Sequence, residues 1–133
     1  MREAHGKPKI LIADDIEMVL KLEEILLKRT GCEVVKAKDG TEALKIIQEE
    51  RPVVAVLDLI MPQMNGDVVC KFVKSNPDLK DTTIIMVTAK GGKEDRERSL
   101  RAGCDYFLTK PIRHNQLLDL VRKVLKEKGI LKR

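Results

Sequence analysis

Five side chains of this 133-residue chain stand where chemistry would want them: Asp14, Asp15, Asp58, Thr88 and Lys110. Each follows a short apolar run: Ile10–Ala13 leads into Asp14-Asp15, Val53–Leu57 into Asp58, Thr83–Val87 into Thr88 and Tyr106–Leu108 toward Lys110. Taken singly they have plain readings. Asp15 can cap a helix, Thr88 is a β-branched strand residue, and Lys110 is a surface lysine. Asp58 is harder to dismiss, because it interrupts Val53-Val54-Ala55-Val56-Leu57 before Leu59-Ile60-Met61, and a carboxylate in such surroundings is costly unless paired. Two carboxylates about 4 Å apart repel by roughly 4 kcal/mol at an effective dielectric of 20. Three must raise their pKa values, recruit a cation, or both. One lysine cannot neutralise them, so a hard divalent cation is the natural guest. Mg²⁺ fits, since it binds through one or two carboxylates, keeps several waters and waits for phosphate oxygens. Cation, ammonium and hydroxyl around one carboxylate are the equipment of phosphoryl transfer, in which positioning and charge neutralisation dominate. The carboxylate is then the nucleophile and an aspartyl phosphate the product.

The elements that must bring these residues together are written as alternating runs. Strands are expected over Ile10–Ala13, Glu33–Ala37, Val53–Leu57, Thr83–Val87 and Tyr106–Leu108. Several are rich in Val and Ile and nearly continuous, as when both faces of a parallel sheet are covered. Met18/Leu22/Ile25 with Val19/Leu26 predict a first helix, and Ala43/Leu44/Ile47 a second. Met64/Val68/Phe72 with Val69/Val73 predict a third, and Leu117/Leu118/Val121/Val124/Leu125 the last. The fourth, Lys93–Ala102, is mostly charged, with Leu100 and Ala102 as its expected anchors. Asp39-Gly40-Thr41 reads as a turn into helix two, Gly31 and Gly103 as C-caps, and Asn76-Pro77-Asp78 as the close of helix three. Such a (βα)₅ series gives an α/β, doubly wound parallel sheet with helices on both faces. Its ligands collect outside the carboxyl ends of the strands, where the five side chains stand. One domain over 9–128 is expected, with an N-terminal tail at 1–8 and a C-terminal tail or truncated linker at 129–133.

At this point the motifs resemble a known family, the receiver domain of two-component response regulators. They are Ile10-Leu11-Ile12-Ala13-Asp14-Asp15, Ala37-Lys38-Asp39-Gly40-Thr41-Glu42-Ala43-Leu44, Asp58-Leu59-Ile60-Met61-Pro62-Gln63-Met64-Asn65-Gly66, Val87-Thr88-Ala89 and Lys110-Pro111. The resemblance implies a five-stranded sheet in the order 2-1-3-4-5. It implies that Asp58 is the phosphoacceptor and that Asp15 and Asp58 ligate Mg²⁺ directly. Asp14 then acts mainly through a metal-bound water, and the Ile60 carbonyl is the backbone ligand. Thr88 and Lys110 resemble the pair that grips the phosphoryl oxygens, and Lys110-Pro111 is expected to be cis. The implied partners are a sensor histidine kinase or phosphotransfer protein and a downstream output protein or domain. Output passes through the face made by helix four, strand five and helix five, with Thr88 and Phe107 as the switch. The implied protein is a cytoplasmic signalling domain rather than an enzyme, a monomer or a weak phosphorylation-dependent dimer. Two features depart from the family pattern. The switch aromatic is Phe107 rather than the frequent tyrosine, with Tyr106 one place too early and so expected to face the other way. Arg113, where the last helix should begin, is a poor N-cap.

Composition narrows the alternatives. Lys plus Arg number 26 against 21 Asp plus Glu, a formal charge of +5. That excess is mild for a nucleic-acid binder, and Phe72, Tyr106 and Phe107 are the only aromatic residues, which disfavours base-stacking platforms. Cys32, Cys70 and Cys104 form no CxxC pair, and His5 and His114 are isolated, so neither a zinc site nor a dithiol centre is expected. The longest apolar run is far short of the roughly 18 residues of a membrane span. A receiver-like docking module without phosphorylation usually lacks part of the acid–Thr–Lys set, and none is missing here. A mononucleotide or flavin site would want a Gly/Ser/Thr-rich loop where Asp14-Asp15-Ile16-Glu17 stands. Gly91-Gly92-Lys93 fails as a P-loop because Val87 holds the earlier glycine position and Glu94 follows the lysine. An Asp-nucleophile phosphatase would favour a second acid where Ile60 stands. No residues after 128 offer a helix-turn-helix for direct DNA contact.

Overall fold

Five strands, each a run dense in β-branched and aliphatic residues, pair in register as one parallel sheet in the order β2-β1-β3-β4-β5. They are β1 (Lys9–Ala13), β2 (Glu33–Ala37), β3 (Val54–Asp58), β4 (Thr83–Thr88) and β5 (Tyr106–Thr109). The structure is a computed structural model that describes residues 6–89 and 91–131. Residues 1–5 of the expected N-terminal tail, His5 among them, and 132–133 of the expected C-terminal end lie outside the described residues. β3 is buried at all five positions, as a central strand covered on both faces must be. The helices α1 (Glu17–Leu27), α2 (Gly40–Glu50), α3 (Gly66–Lys74), α4 (Lys93–Arg101) and α5 (His114–Glu127) connect the strands. Two cores result. Leu11, Ala55, Leu57 and Met86 pack with α2 and α3 on one face, while Ile10, Ile12, Val56 and Ile85 pack with α1 and α5 on the other.

Local chemistry explains the boundaries. Asp39 caps α2 by accepting the Glu42 N–H at 2.8 Å, while the Glu42 carboxylate takes the Lys38 N–H at 2.8 Å. This reciprocal pair satisfies donors that a helix start leaves open. Gly31 (φ +86°) and Gly103 (φ +95°) end their helical turns in the left-handed conformation that favours glycine. Arg113 is the N-cap residue of α5 and makes no side-chain cap, as its type predicts. Beyond α5, Ile130 and Leu131 fold back onto the α1–α5 core, and their N–H groups reach the Leu125 carbonyl.

Three helix readings need correction. In α1 the buried positions are Leu20 and Leu27, whereas Met18, Leu22 and Ile25 are exposed. α1 is apolar on more than one side, and the Met18/Leu22/Ile25 stripe that predicts the helix faces outward. α3 starts only at Gly66, so Met64 precedes it, and Val68 and Phe72 are exposed while Val69, Cys70 and Val73 are buried. Leu100 is half exposed and does not anchor α4. Ser99 fills the buried position, its hydroxyl donating to the Asp95 carbonyl at 2.9 Å. Arg98 donates twice to Asp67 on α3, at 2.7 and 3.2 Å, and the Arg96 guanidinium lies 5.8 Å from the centre of the Phe107 ring. α4 is thus held by polar contacts more than by apolar burial.

Candidate functional site

Parallel strands all deliver their last residues to one rim, and hydrogen bonds between loops fix that rim here. The Asp14 N–H donates to the Ala37 carbonyl at 3.1 Å, Leu59 N–H to Val87 at 2.8 Å and Lys110 N–H to Thr88 at 2.8 Å. The loop after Asp58 is tied down as well. Gly66 N–H donates to the Leu59 carbonyl at 2.7 Å, and the Asn65 side chain accepts the Met61 N–H at 3.2 Å. Gly40 and Gly66 permit this packing. A Cβ on Gly40 would lie 1.8 Å from the Met64 carbonyl oxygen, and one on Gly66 would lie 2.4 Å from that of Asp58. Both are places where only glycine lets two backbones meet.

Asp14, Asp15 and Asp58 converge so that one carboxylate oxygen from each lies within 4.8 Å of the others. Asp14 is 2% exposed and Asp58 9%, while Asp15 faces solvent. The N-cap residue of α1 is Ile16 and makes no side-chain cap, so Asp15 does not take the capping role its position suggests. Instead Asp14 accepts the Ile16 N–H at 2.9 Å. Lys110 spans the cluster, its Nζ donating to Asp14 Oδ2 at 2.6 Å and to Asp58 Oδ2 at 3.1 Å. Thr88 is buried at the end of β4, next to β3. Ile60, two residues past Asp58, has a half-exposed side chain, and its N–H points to Asp58 Oδ1 at 3.4 Å. Lys110-Pro111 is cis. Phe107 packs against the α2–α3 core while Tyr106 packs against the α1–α5 core, so the two aromatics do face opposite ways.

The electrostatics are those of an acid cluster short of positive charge. Burial, foremost, holds the Asp58 carboxyl above the ordinary range; Lys110 opposes this and the neighbouring Asp14 adds to it. Burial works against the Lys110 ammonium, but Asp14 and Asp58 outweigh it and keep its pKa above the usual lysine value. The oxygens are hard, they converge, and one ammonium faces three carboxylates, so the donor set fits a divalent cation such as Mg²⁺. Because the native pKa of Asp58 is raised, stability falls as pH climbs from the ordinary aspartate value of 3.8 through the native one. Asp58→Asn removes that fall. At neutral pH without metal the variant is expected to be more stable than the parent by about 1–3 kcal/mol, on the order of the carboxylate repulsion. The gap closes in acid, and Mg²⁺ narrows it at neutral pH by stabilising the parent. Urea titrations across pH, with and without Mg²⁺, check this; a variant less stable than the parent at neutral pH without metal contradicts it.

One residue of this region has no place in the sequence reading. Glu23 on α1 is pushed up to about 7, by burial first and then by the Asp14 charge, with Lys110 opposing. Its signal was positional. It stands between Leu20 and Leu27 on the side of α1 that turns inward.

A known family has this arrangement. The model of the response regulator receiver domain matches residues 10–122. The chain belongs to that family. This receiver domain is 34% identical to the protein PilG of Pseudomonas aeruginosa, over 86% of its own length and 84% of PilG. It is 38% identical to the probable transcriptional regulator ycf27 of Guillardia theta, but spans only 46% of that longer protein. Among solved structures, the Vibrio cholerae chemotaxis protein CheY4 superposes with a TM-score of 0.82 at 32% identity, over 90% of this chain and 100% of that one. The sheet order read from the resemblance is the one observed. Phosphoacceptance is the standard role of the family, and this receiver domain is a signalling domain of a two-component system. Among the described residues no helix is long and apolar enough to cross a membrane.

Proposed function

We propose that this receiver domain, working as residues 9–128, takes a phosphoryl group onto Asp58 from a phosphohistidine on a sensor histidine kinase or phosphotransfer protein. The observation that carries this is the Lys110 ammonium shared by Asp14 and Asp58 beside Asp15, three carboxylates against one lysine. An Asp58 carboxylate oxygen attacks phosphorus, the P–O bond forms as the P–N bond breaks, and the electron pair leaves with the donor imidazole, which picks up a proton. Lys110 gives up its bond to Asp58 and donates to a phosphoryl oxygen. The Thr88 hydroxyl supplies a second donor from the end of β4. Such preorganised donors favour the transition state because they are aimed where charge develops. Asp14, Asp15, Asp58 and the Ile60 carbonyl would hold Mg²⁺, which when bound neutralises charge on the transferring group. Dephosphorylation uses the same residues, so the domain assists its own turnover without being an enzyme toward another substrate.

Thr88 drawn toward the phosphoryl group opens space beside β5 into which Phe107 rotates, repacking the α4–β5–α5 face for an output protein or domain. The Arg96–Phe107 contact and the polar anchoring of α4 support that face as the movable one. We place the domain in the cytoplasm, where its free, buried Cys32, Cys70 and Cys104 stay reduced. Acetyl phosphate with Mg²⁺ tests the acceptor assignment. The parent is expected to gain one phosphoryl increment in intact mass that hydroxylamine removes, and Asp58→Asn to gain none. Equal labelling of Asp58→Asn overturns the assignment.

A further inference from the structure

Apart from Ser99 and Leu100, every residue of α4 is charged, so the helix has little of its own to bury. Its N-cap, Gly92, offers no side-chain cap. Among the described residues, its only side-chain hydrogen bonds to another element are the two that Arg98 donates to Asp67, at 2.7 and 3.2 Å. The two side chains are 36% and 18% exposed, so water screens the pair only in part. A planar guanidinium fork on a carboxylate fixes direction as well as distance.

The place of Asp67 gives this pair a reach beyond α4. Asp67 lies in the first turn of α3, directly after Gly66. Gly66 N–H donates to the Leu59 carbonyl at 2.7 Å, and a Cβ on Gly66 would stand 2.4 Å from the Asp58 carbonyl oxygen. The start of α3 is thus seated on the backbone of Asp58. Further along α3, the Cys70 thiol donates to the Ala102 carbonyl at 3.4 Å, and Lys74 pairs with Asp105 at 2.8 Å. Those two contacts hold the chain after α4, while Arg98 holds the helix itself. On the other flank, Arg96 lies 5.8 Å from the centre of the Phe107 ring. Lys110 is bonded to Asp58 in the same structure, so the fork belongs to the unloaded site.

We propose that the Arg98–Asp67 pair is a latch that holds α4 in the unloaded arrangement and so weakens the hold of Asp58 on a phosphoryl group. The inference rests on the reading that Asp58 is the acceptor and that α4 moves when it is loaded. Repacking the α4 face stretches the fork, because Asp67 stays seated on the Asp58 backbone while the helix shifts. Whatever the fork contributes to the unloaded state is therefore subtracted from the affinity of the loaded one. Removing it raises the fraction of molecules whose α4 is free to repack, and the apparent Kd for a phosphate mimic falls in proportion. Both are positioning residues, acting on Asp58 through α3 rather than on the phosphoryl group. Charge alone predicts the opposite sign for one of them. Loss of the Arg98 cation would weaken an anion at Asp58, whereas loss of the latch strengthens it.

Calorimetric titration with beryllofluoride at saturating Mg²⁺ decides between the two, using the parent, Arg98→Met, Asp67→Asn and the double variant. Each single variant is expected to bind about threefold tighter than the parent, the scale of one partly exposed ion pair. The double variant is expected to match the singles rather than multiply them, because all three remove the same interaction. Hydrogen exchange without ligand is expected to show Lys93–Arg101 less protected in Arg98→Met than in the parent, with Val54–Asp58 unchanged. An Arg98→Met domain that binds beryllofluoride no tighter than the parent overturns the latch, even if Asp67→Asn binds tighter, since that combination is the charge effect alone. Multiplied tightening in the double variant, or unaltered protection of α4, overturns it too. So does an Arg98→Met domain without a cooperative melt, which makes the pair merely structural. The underlying reading fails visibly in the parent itself. A parent that does not bind beryllofluoride refutes the acceptor assignment, and one whose residues 93–108 keep their protection when loaded refutes the movement of α4; either result removes the latch with it.

Discussion

Lys110→Ala is expected to slow phosphoryl loading of Asp58 by about 10²–10³-fold, the usual loss when one preorganised donor to a developing charge is removed. The same substitution strips Asp14 and Asp58 of their shared counter-ion, the bonds at 2.6 and 3.1 Å. Removing one partner of a buried pair costs about 3–5 kcal/mol. Lys110 retains 19% side-chain exposure, which puts the metal-free variant at the lower end, about 3 kcal/mol below the parent. Two features separate this from simple misfolding. Lys110→Arg is expected to keep most of the stability while still loading slowly, because a planar fork does not fit where a point charge is shared by two carboxylates. Asp58→Asn in the Lys110→Ala background is expected to recover part of the lost stability, since one of the two orphaned carboxylates is gone. Stopped-flow loading by acetyl phosphate and urea titration of the single and double variants give both numbers. A Lys110→Ala domain that loads at the parent rate contradicts the site geometry.

Gly66→Ala is expected to be the most damaging change of one methyl group in the domain's central loop. The new Cβ would sit 2.4 Å from the Asp58 carbonyl oxygen and 2.9 Å from Met86 Sδ. The methionine can move, but the backbone at the end of β3 can yield only by shifting Asp58 or lifting α3. Overpacking of this kind costs about 1–3 kcal/mol. The functional loss should be larger than the stability loss implies, because a displacement of about 1 Å at a reacting group costs on the order of 10²-fold. Gly92→Ala is the control, since nothing lies within 4 Å of its Cβ. Thermal melts and acetyl phosphate loading of both variants check this. If Gly66→Ala matches Gly92→Ala in both, the close approach of α3 to Asp58 does not position the site.

The strands and the rim were legible because they rest on rules that leave little choice. Runs such as Val54–Leu57 are apolar at every position only when both faces are covered, and parallel strands must present Asp14, Asp58 and Thr88 at the same edge. Alternation likewise sent Phe107 and Tyr106 to opposite cores. Helix orientation was less legible, for a physical reason. α1 carries apolar residues on two sides, and periodicity detects a stripe without saying which way it faces. The stripe of Met18, Leu22 and Ile25 faces solvent, while the inward side holds Leu20, Glu23 and Leu27, one of them a carboxyl. α4 misled in the opposite sense. Its one large apolar residue, Leu100, is half exposed, and the helix is secured by Ser99, Arg96 and Arg98 through contacts that no hydrophobic pattern encodes. Charge counting foresaw strain among three acids but not its distribution. Lys110 is shared between Asp14 and Asp58, and at Asp58 burial, more than the neighbouring charge, raises the carboxyl.

The most direct test is a crystal structure of the domain soaked with beryllofluoride and Mg²⁺, a stable mimic of the phosphorylated acid. The expected result is beryllium bonded to an Asp58 carboxylate oxygen, with Lys110 Nζ and Thr88 Oγ1 within about 3 Å of its fluorides. Mg²⁺ is expected among Asp14, Asp15, Asp58 and the Ile60 carbonyl, at about 2.1 Å from the oxygens it touches directly. Beryllofluoride bound to another carboxylate, or an Asp58 still bonded to Lys110 with neither ion beside it at saturating concentration, contradicts the account.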